Sequence, residues 1–266
     1  MNNFYNPFQP TLTQASLHLL GLSMQVTVPC KALKGIVYSY LQIKAEGQTL
    51  YPVMPDGTQA IYISPQGAMI GGAQREARDV PLLHPGEYFG IWFYPGALRH
   101  LFSLNLSEIS GQFVDKKYFP CDRFQRLHSE IYEFNDFYNR ARVCERWVME
   151  RYSRKPATGF DHALSLIYQS LGSERVESIA GKVGWSSRHL NRQFLEHTGL
   201  NTKVFSQIVR AQNLCKQIYL KPTDPMNVSM ELGYYDQSHL IKEFKKYFKL
   251  TPSDFINQYM SDFYNR

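Results

Sequence analysis

The spacing of apolar positions changes character along the chain. Through about residue 120, short runs of β-branched and aromatic residues alternate with turn formers. GIVYSYLQI (35–43), AIYIS (60–64) and GIWF (90–93) are punctuated by Pro55-Asp56-Gly57, Gly71-Gly72, His84-Pro85-Gly86 and Pro95-Gly96. Strands this short, broken this often, predict an antiparallel sandwich or barrel. From Asp122 the period becomes helical. No Gly or Pro intervenes before Pro156, and Phe124, Leu127, Ile131, Phe134, Tyr138, Val143 and Trp147 recur at helix spacing. One or two amphipathic helices are expected, either packed on the β-rich domain or forming a dimerisation element, because so wide an apolar stripe needs a partner. Lys155-Pro156-Ala157-Thr158-Gly159 reads as a linker, and the rest reads as helix. The expected fold class is α+β, with a β-rich domain at 1–120, a helical linker at 121–155 and an all-α domain at 156–266.

Comparing the C-terminal region with itself exposes a repeat of 50 residues. His189-Leu190-x3-Phe194 recurs as His239-Leu240-x3-Phe244, Arg192 as Lys242, and Leu200 as Leu250. Ile179, Val183 and Gly184 match Val228, Leu232 and Gly233 at an offset of 49, so one residue is added in the second turn. Each copy reads helix, Gly-containing turn, helix. Asp224 and Pro225 suit the N-cap and first position of a helix. Ser186 and Asp236 suit the caps of the helices that follow each turn. Leu190 and Phe194, or Leu240, Phe244 and Phe248, then point inward, while Arg188, Asn191 and Arg192, or Gln237, Ser238, Ile241, Lys242 and Lys245, point outward. Residues 202–220 form a connecting helix about 28 Å long at about 1.5 Å per residue. This is the layout of two helix-turn-helix units held near one turn of DNA, roughly 34 Å, apart. Arg forks onto guanine, Gln or Asn onto adenine, and Lys meets guanine or phosphate. For one copy alone, a solvated bundle face explains the pattern as well; two copies in register favour DNA.

Composition constrains the picture further. With 44% hydrophobic, 14% aromatic and 20% charged residues, the 266-residue chain is globular in type. The net charge of +6 is mild, and residues 156–266 carry only 13 Lys/Arg against 10 Asp/Glu. DNA recognition must therefore rest on placement, not bulk charge. Cys30, Cys121, Cys144 and Cys215 form no CxxC pair, so neither zinc nor a disulfide framework is indicated. A reducing cytoplasm is expected, with no membrane association, because the chain has no basic leader start and no apolar run of spanning length.

At this point GWSSRHLNRQFLEHTGL, Arg210 and above all GYYDQSHLIKEFKKYFKLTPSDF resemble the AraC/XylS family of bacterial transcription regulators. The resemblance covers about 100 residues. It implies base reading by Arg188, Asn191, Arg192, Gln237, Ser238, Ile241 and Lys242, contact with RNA polymerase at promoter DNA, and activation more than repression. Ser229 and Leu214 stand where the family usually has Ala, and Lys249 where it often has Gly. PDGTQAIYI and GEYFGIWFYPGALRHLF are similar to the cupin-like sensing domain of a subset of these regulators, which implies a β-barrel for a small effector and helices after it for a homodimer. Tyr38, Tyr51, Tyr62, Trp92 and Tyr94 are the candidate pocket residues, though alternation places aromatics in a plain barrel core equally well.

Enzyme readings find little support. A cupin metal site needs clustered histidines, whereas His18, His84 and His100 are isolated, and His84-Pro85-Gly86-Glu87 reads as a turn. No Walker loop, GxGxxG or GxSxG occurs. No catalytic residue, metal or cofactor is expected. The rivals are a regulator controlled by a protein partner or by oligomerisation instead of an effector, and an interaction protein whose repeat binds protein.

Overall fold

Alternation along three central strands decides how the N-terminal domain is layered. The computed structural model describes residues 5–115, 122–153, 156–220 and 225–264. After a short helix α1 (Gln14–Leu19), eight strands follow: β1 (Leu22–Thr27), β2 (Val37–Ala45), β3 (Thr49–Val53), β4 (Gln59–Ser64), β5 (Gly67–Gly71), β6 (Arg78–Leu82), β7 (Gly86–Phe93) and β8 (Phe113–Asp115). Six of them form an antiparallel sheet in the order β1-β2-β7-β4-β5-β8, and β3 pairs with β6 in a separate ribbon. Ile91 lies opposite both Tyr40 and Ile61. These three, with Ile63, Phe89 and Phe93, face one way. Leu41, Ile43, Ala60 and Trp92 face the other and pack on Tyr51, Val53 and Leu82 of the ribbon. Side chains of period two thus give the sheet two buried faces. The expected antiparallel β domain is present, built as two facing sheets.

The second buried face explains the helical stripe. Helices α2 (Asp122–Tyr132) and α3 (Phe137–Arg151) lie against it, burying Leu127, Ile131, Val143 and Trp147 in the same core as Phe89 and Ile91. Arg140 pins α3 to the sheet, donating to Gln42 Oε1 at 2.7 Å and pairing with Glu87. The partner that the stripe requires is therefore the chain's own sheet. Phe134 and Tyr138 stay exposed. The side chain of Phe124, and Cys121, Lys155 and Asp224, fall outside the described residues. Cys30, Cys144 and Cys215 are free thiols; the last two are buried, which pushes their pKa up.

The helical domain comprises α4 (Gly159–Gln169), α5 (Val176–Lys182), α6 (Ser187–Thr198), α7 (Thr202–Leu220), α8 (Pro225–Glu231), α9 (Gln237–Phe248) and α10 (Pro252–Tyr264). Its core gathers Phe160, Phe194 and Phe205 at one end and Phe244, Phe248 and Phe255 at the other. Tyr5, Met54 and Ala73 of the β-rich domain belong to that same core. Two glycines record how closely the domains approach. At Gly57 (φ +76°) a Cβ would lie 2.8 Å from the Phe205 ring, and at Gly199 (φ +78°) it would lie 2.7 Å from the Leu106 carbonyl oxygen.

Leu240 is buried beside Phe244, so Leu240→Ala should destabilise the chain by about 2–5 kcal/mol through the cavity it leaves, read as a lowered urea midpoint. Lys249 ends α9 in the left-handed region at φ +61°. Its ion pair with Glu76 is solvent-exposed. Lys249→Gly should therefore raise stability by about 0.5–1 kcal/mol, because the relieved backbone strain outweighs a screened surface pair.

Candidate nucleic-acid interface

The two repeat copies are superposable in their hydrogen bonding as well as in sequence. In the first, Gly184 N–H bonds Gly181 O and Trp185 N–H bonds Ala180 O; in the second, Gly233 N–H bonds Met230 O and Tyr234 N–H bonds Ser229 O. Gly184 and Gly233 both take the left-handed φ that this helix ending requires. Trp185 and Tyr234 are therefore equivalent, each packing edge-on against the histidine of its own copy, His189 or His239. The residue added in the second turn is Tyr235, 89% exposed. Ser229, in the place of a small alanine, is fully buried, as is Leu214.

Caps start the second helix of each unit. Ser186 accepts from His189 N–H at 3.2 Å and starts α6; Asp236 accepts from His239 N–H at 2.7 Å and starts α9. Both helices stop on a left-handed residue, Gly199 and Lys249. Arg188 and Arg192 are exposed on α6, and Arg192 Nη2 lies 2.9 Å from His189 Nδ1. Gln237, Ser238, Lys242 and Lys245 are exposed on α9, and Ile241 is half-buried. Asn191 is half-buried too, and its Oδ1 accepts from Thr202 N–H at 3.1 Å, capping α7.

One feature that the sequence reading did not pick out fixes how the second unit sits on the shared helix. Arg210 of α7 forks onto Glu243 of α9, with Nε–Oε1 2.9 Å, Nη2–Oε1 2.7 Å and Nη2–Oε2 2.5 Å. Gln207 Nε2 adds a bond to Glu243 Oε2 at 2.7 Å, Tyr247 Oη donates to Gln207 Oε1 at 2.8 Å, and the guanidinium sits 4.6 Å from the Tyr234 ring centre. Glu243 is only 4% exposed. Burial raises the Tyr234 hydroxyl pKa well above its usual value, keeping it neutral beside the pair. A cue was present: Glu243 lies on the apolar stripe of α9 with Leu240 and Tyr247, and a charge in such a stripe requires a partner.

The proposed pocket residues are divided. Tyr51 and Trp92 are buried between sheet and ribbon, with Tyr38 and Tyr62 packed against them. Tyr38 lies beside Trp92 and meets Tyr94 edge-on at 5.4 Å, while its hydroxyl donates to Asn6 Oδ1 at 2.8 Å. Tyr94 instead lines a cleft of about 680 Å³ between the two domains, with Lys31, Arg99, Asp161 and Tyr168. Among the described residues no group of three or more His, Cys, Asp or Glu is placed to hold a metal, and no helix is long and apolar enough to cross a membrane.

A protein that presents two capped, basic-faced helices from one shared helix is a double helix-turn-helix protein. Residues 179–258 match the family model described as "Helix-turn-helix domain", and residues 25–115 match "Domain of unknown function (DUF6597)". The chain is 25% identical over 92 residues to an uncharacterized HTH-type transcriptional regulator of Haemophilus influenzae, covering 35% of this chain and 31% of that protein. It is 27% identical over 81 residues to the probable transcription factor PqrA of Proteus vulgaris, covering 30% and 66%. The matched stretches thus span from about a third to just under two thirds of these relatives. Among solved structures, ToxT from Vibrio cholerae O395 aligns over 90% of this chain and 98% of its own, at 9% identity and a TM-score of 0.44. ToxT bound to (E)-4-(8-methylnaphthalen-1-yl)but-3-enoic acid aligns at 9% identity and 0.46, over 90% and 100%. Residues 179–258 are thus a helix-turn-helix domain, and with the signature residues they support a transcription regulator of AraC type.

Breaking the buried pair from one side leaves a charge without its partner. Glu243→Ala should therefore destabilise the protein by about 3–5 kcal/mol, and Arg210→Met combined with Glu243→Leu should destabilise it far less than the sum of the single changes. Urea unfolding of Arg210→Met, Glu243→Leu and the double variant measures the coupling; additive losses would contradict it.

Proposed function

We propose that this DNA-binding transcription regulator recognises its site by inserting α6 and α9 into successive major grooves on one face of promoter DNA. The observation that carries this reading is the duplicated cap, turn and exposed basic face of two units that share one 19-residue helix, α7. Arg188 and Arg192, with the amide of Asn191, serve as the base readers of the first unit. Gln237, Ser238, Ile241 and Lys242 read more weakly in the second, and Lys245 anchors phosphate. The family resemblance supports activation through RNA polymerase over repression, action as a homodimer and residence in the cytoplasm. It also supports a small effector among Tyr38, Tyr51, Tyr62, Trp92 and Tyr94; the rings of the first four meet between sheet and ribbon. The competing reading, control by a protein partner or by oligomerisation without an effector, draws on the burial of Tyr51 and Trp92 within a packed apolar cluster, as in a plain barrel core.

Fluorescence anisotropy against duplex DNA at moderate salt tests the core of this reading. The protein should show sequence-dependent affinity. Arg192→Ala and Lys242→Ala should each weaken specific binding by about 1–3 kcal/mol at most, Arg192→Ala the more, without lowering the melting temperature. If neither change altered affinity for the preferred duplex, the assigned faces would be wrong; if no duplex were preferred, the reading itself would be.

A further inference from the structure

The last carbonyls of a helix have no partner within it and must find one elsewhere. At the ends of both reading helices, the β-rich domain supplies it. Gln59 Nε2 reaches Thr198 O at the end of α6 at 3.4 Å, beside the close approach of Gly199 to Leu106. Ala77 N–H donates to Tyr247 O at the end of α9 at 2.6 Å, and Glu76 pairs with Lys249, which caps that helix. Between them, Gln212 of α7 is 2% exposed and bonds the β-rich domain twice, accepting from Phe8 N–H at 2.8 Å and donating to Pro55 O at 2.9 Å.

The segments making these contacts are themselves tied down. Gln9 bonds Met54 N and Met54 O at 3.0 and 2.8 Å and Asp56 Oδ2 at 2.8 Å; Asp56 Oδ1 also accepts from Thr58 N–H and Oγ1 at 2.9 and 2.7 Å. Gln59 is held through Gly57 O and Gly96 N–H. Ala77 directly precedes β6. All three helices that define the DNA-binding geometry are therefore fastened to one β framework, at points between 139 and 204 residues distant in sequence for the Gln59 and Phe8 bonds.

We propose that the β-rich domain is a brace that sets the separation and tilt of α6 and α9, and that Gln59, Glu76, Ala77 and Gln212 are positioning residues for DNA recognition. This rests on the DNA-binding reading above for its consequence, but not for its mechanics. Any signal received by the β-rich domain then reaches the reading helices directly through residues 54–59 and 76–77, instead of through α2 and α3. None of the four residues lies on a reading face, so they alter which half-site spacing is accepted without touching a base.

The test uses the full chain carrying spin labels at Glu196→Cys and Lys246→Cys, both exposed positions on α6 and α9, with Cys30→Ser and Cys121→Ser. Pulsed dipolar spectroscopy should give one narrow interhelix distance. Ala77→Pro, which removes the donor to Tyr247 O, and Gln212→Met, which removes both central bonds, should broaden it. Glu76→Lys changes only exposed groups and should shift it without a core defect, which keeps the test decisive if a buried variant fails to fold. In parallel, binding to duplexes whose half-sites are moved by one base pair should lose about tenfold of its discrimination in these variants, with affinity for each half-site alone unchanged. Folded variants with the wild-type distance distribution would overturn the brace. A distance that responds while no duplex is preferred would uphold the brace and overturn the DNA-binding reading instead.

Discussion

Helix α7 has to satisfy two structures at once, and that constraint organises the molecule. One side buries Phe205, Ile208 and Val209 in a core that continues into the first unit through Phe194 and Phe160. Further along, Arg210 is committed to Glu243 of the second unit, and Gln212 to the β-rich domain. A helix held in three directions keeps little freedom to rotate or slide, because each of these groups is wholly or largely buried and loses its partner if the helix moves. The relative placement of the two reading helices follows from this. In the proposed mode of recognition, rigid placement of a few Arg, Gln and Lys side chains takes the place of bulk electrostatic attraction.

Much of the helical domain was legible because its signals are local. A cap three residues before a backbone N–H, a glycine at a left-handed turn and apolar residues at 3.6-residue spacing all act within a few positions. Ser186, Asp236, Gly184 and Gly233 accordingly take the places expected of them. The 50-residue repeat added an internal control, and even the extra residue of the second turn resolves to Tyr235, since Trp185 and Tyr234 share one hydrogen-bond pattern. Asn191 shows where such reasoning stops. It lies on the outward half of α6 by periodicity, yet α7 begins beside it and takes its carbonyl oxygen.

What the sequence hid depends on residues far apart. Strand positions such as AIYIS follow from alternation, but not the placing of β7 between β2 and β4. The stripe on α2 and α3 announced a need for a partner without naming it; the partner is the back of the sheet, with Arg140 reaching Gln42 across 98 positions. Of the five candidate pocket residues, Tyr38, Tyr51, Tyr62 and Trp92 meet between sheet and ribbon, while Tyr94 turns toward the interdomain cleft. Residues 155–159 read as a linker at a domain boundary. In space, the domains it separates share a hydrophobic core and exchange buried hydrogen bonds.

The central claim is that two unequal reading helices, held at a fixed separation, recognise DNA together. Sequencing of random-duplex fragments selected by the purified full chain tests it most directly. The account predicts a bipartite motif with its two parts about 10 base pairs apart, centre to centre, and stronger base preference in the part read by Arg188 and Arg192. Enrichment of a single short motif, or of paired motifs with no fixed spacing, would contradict it.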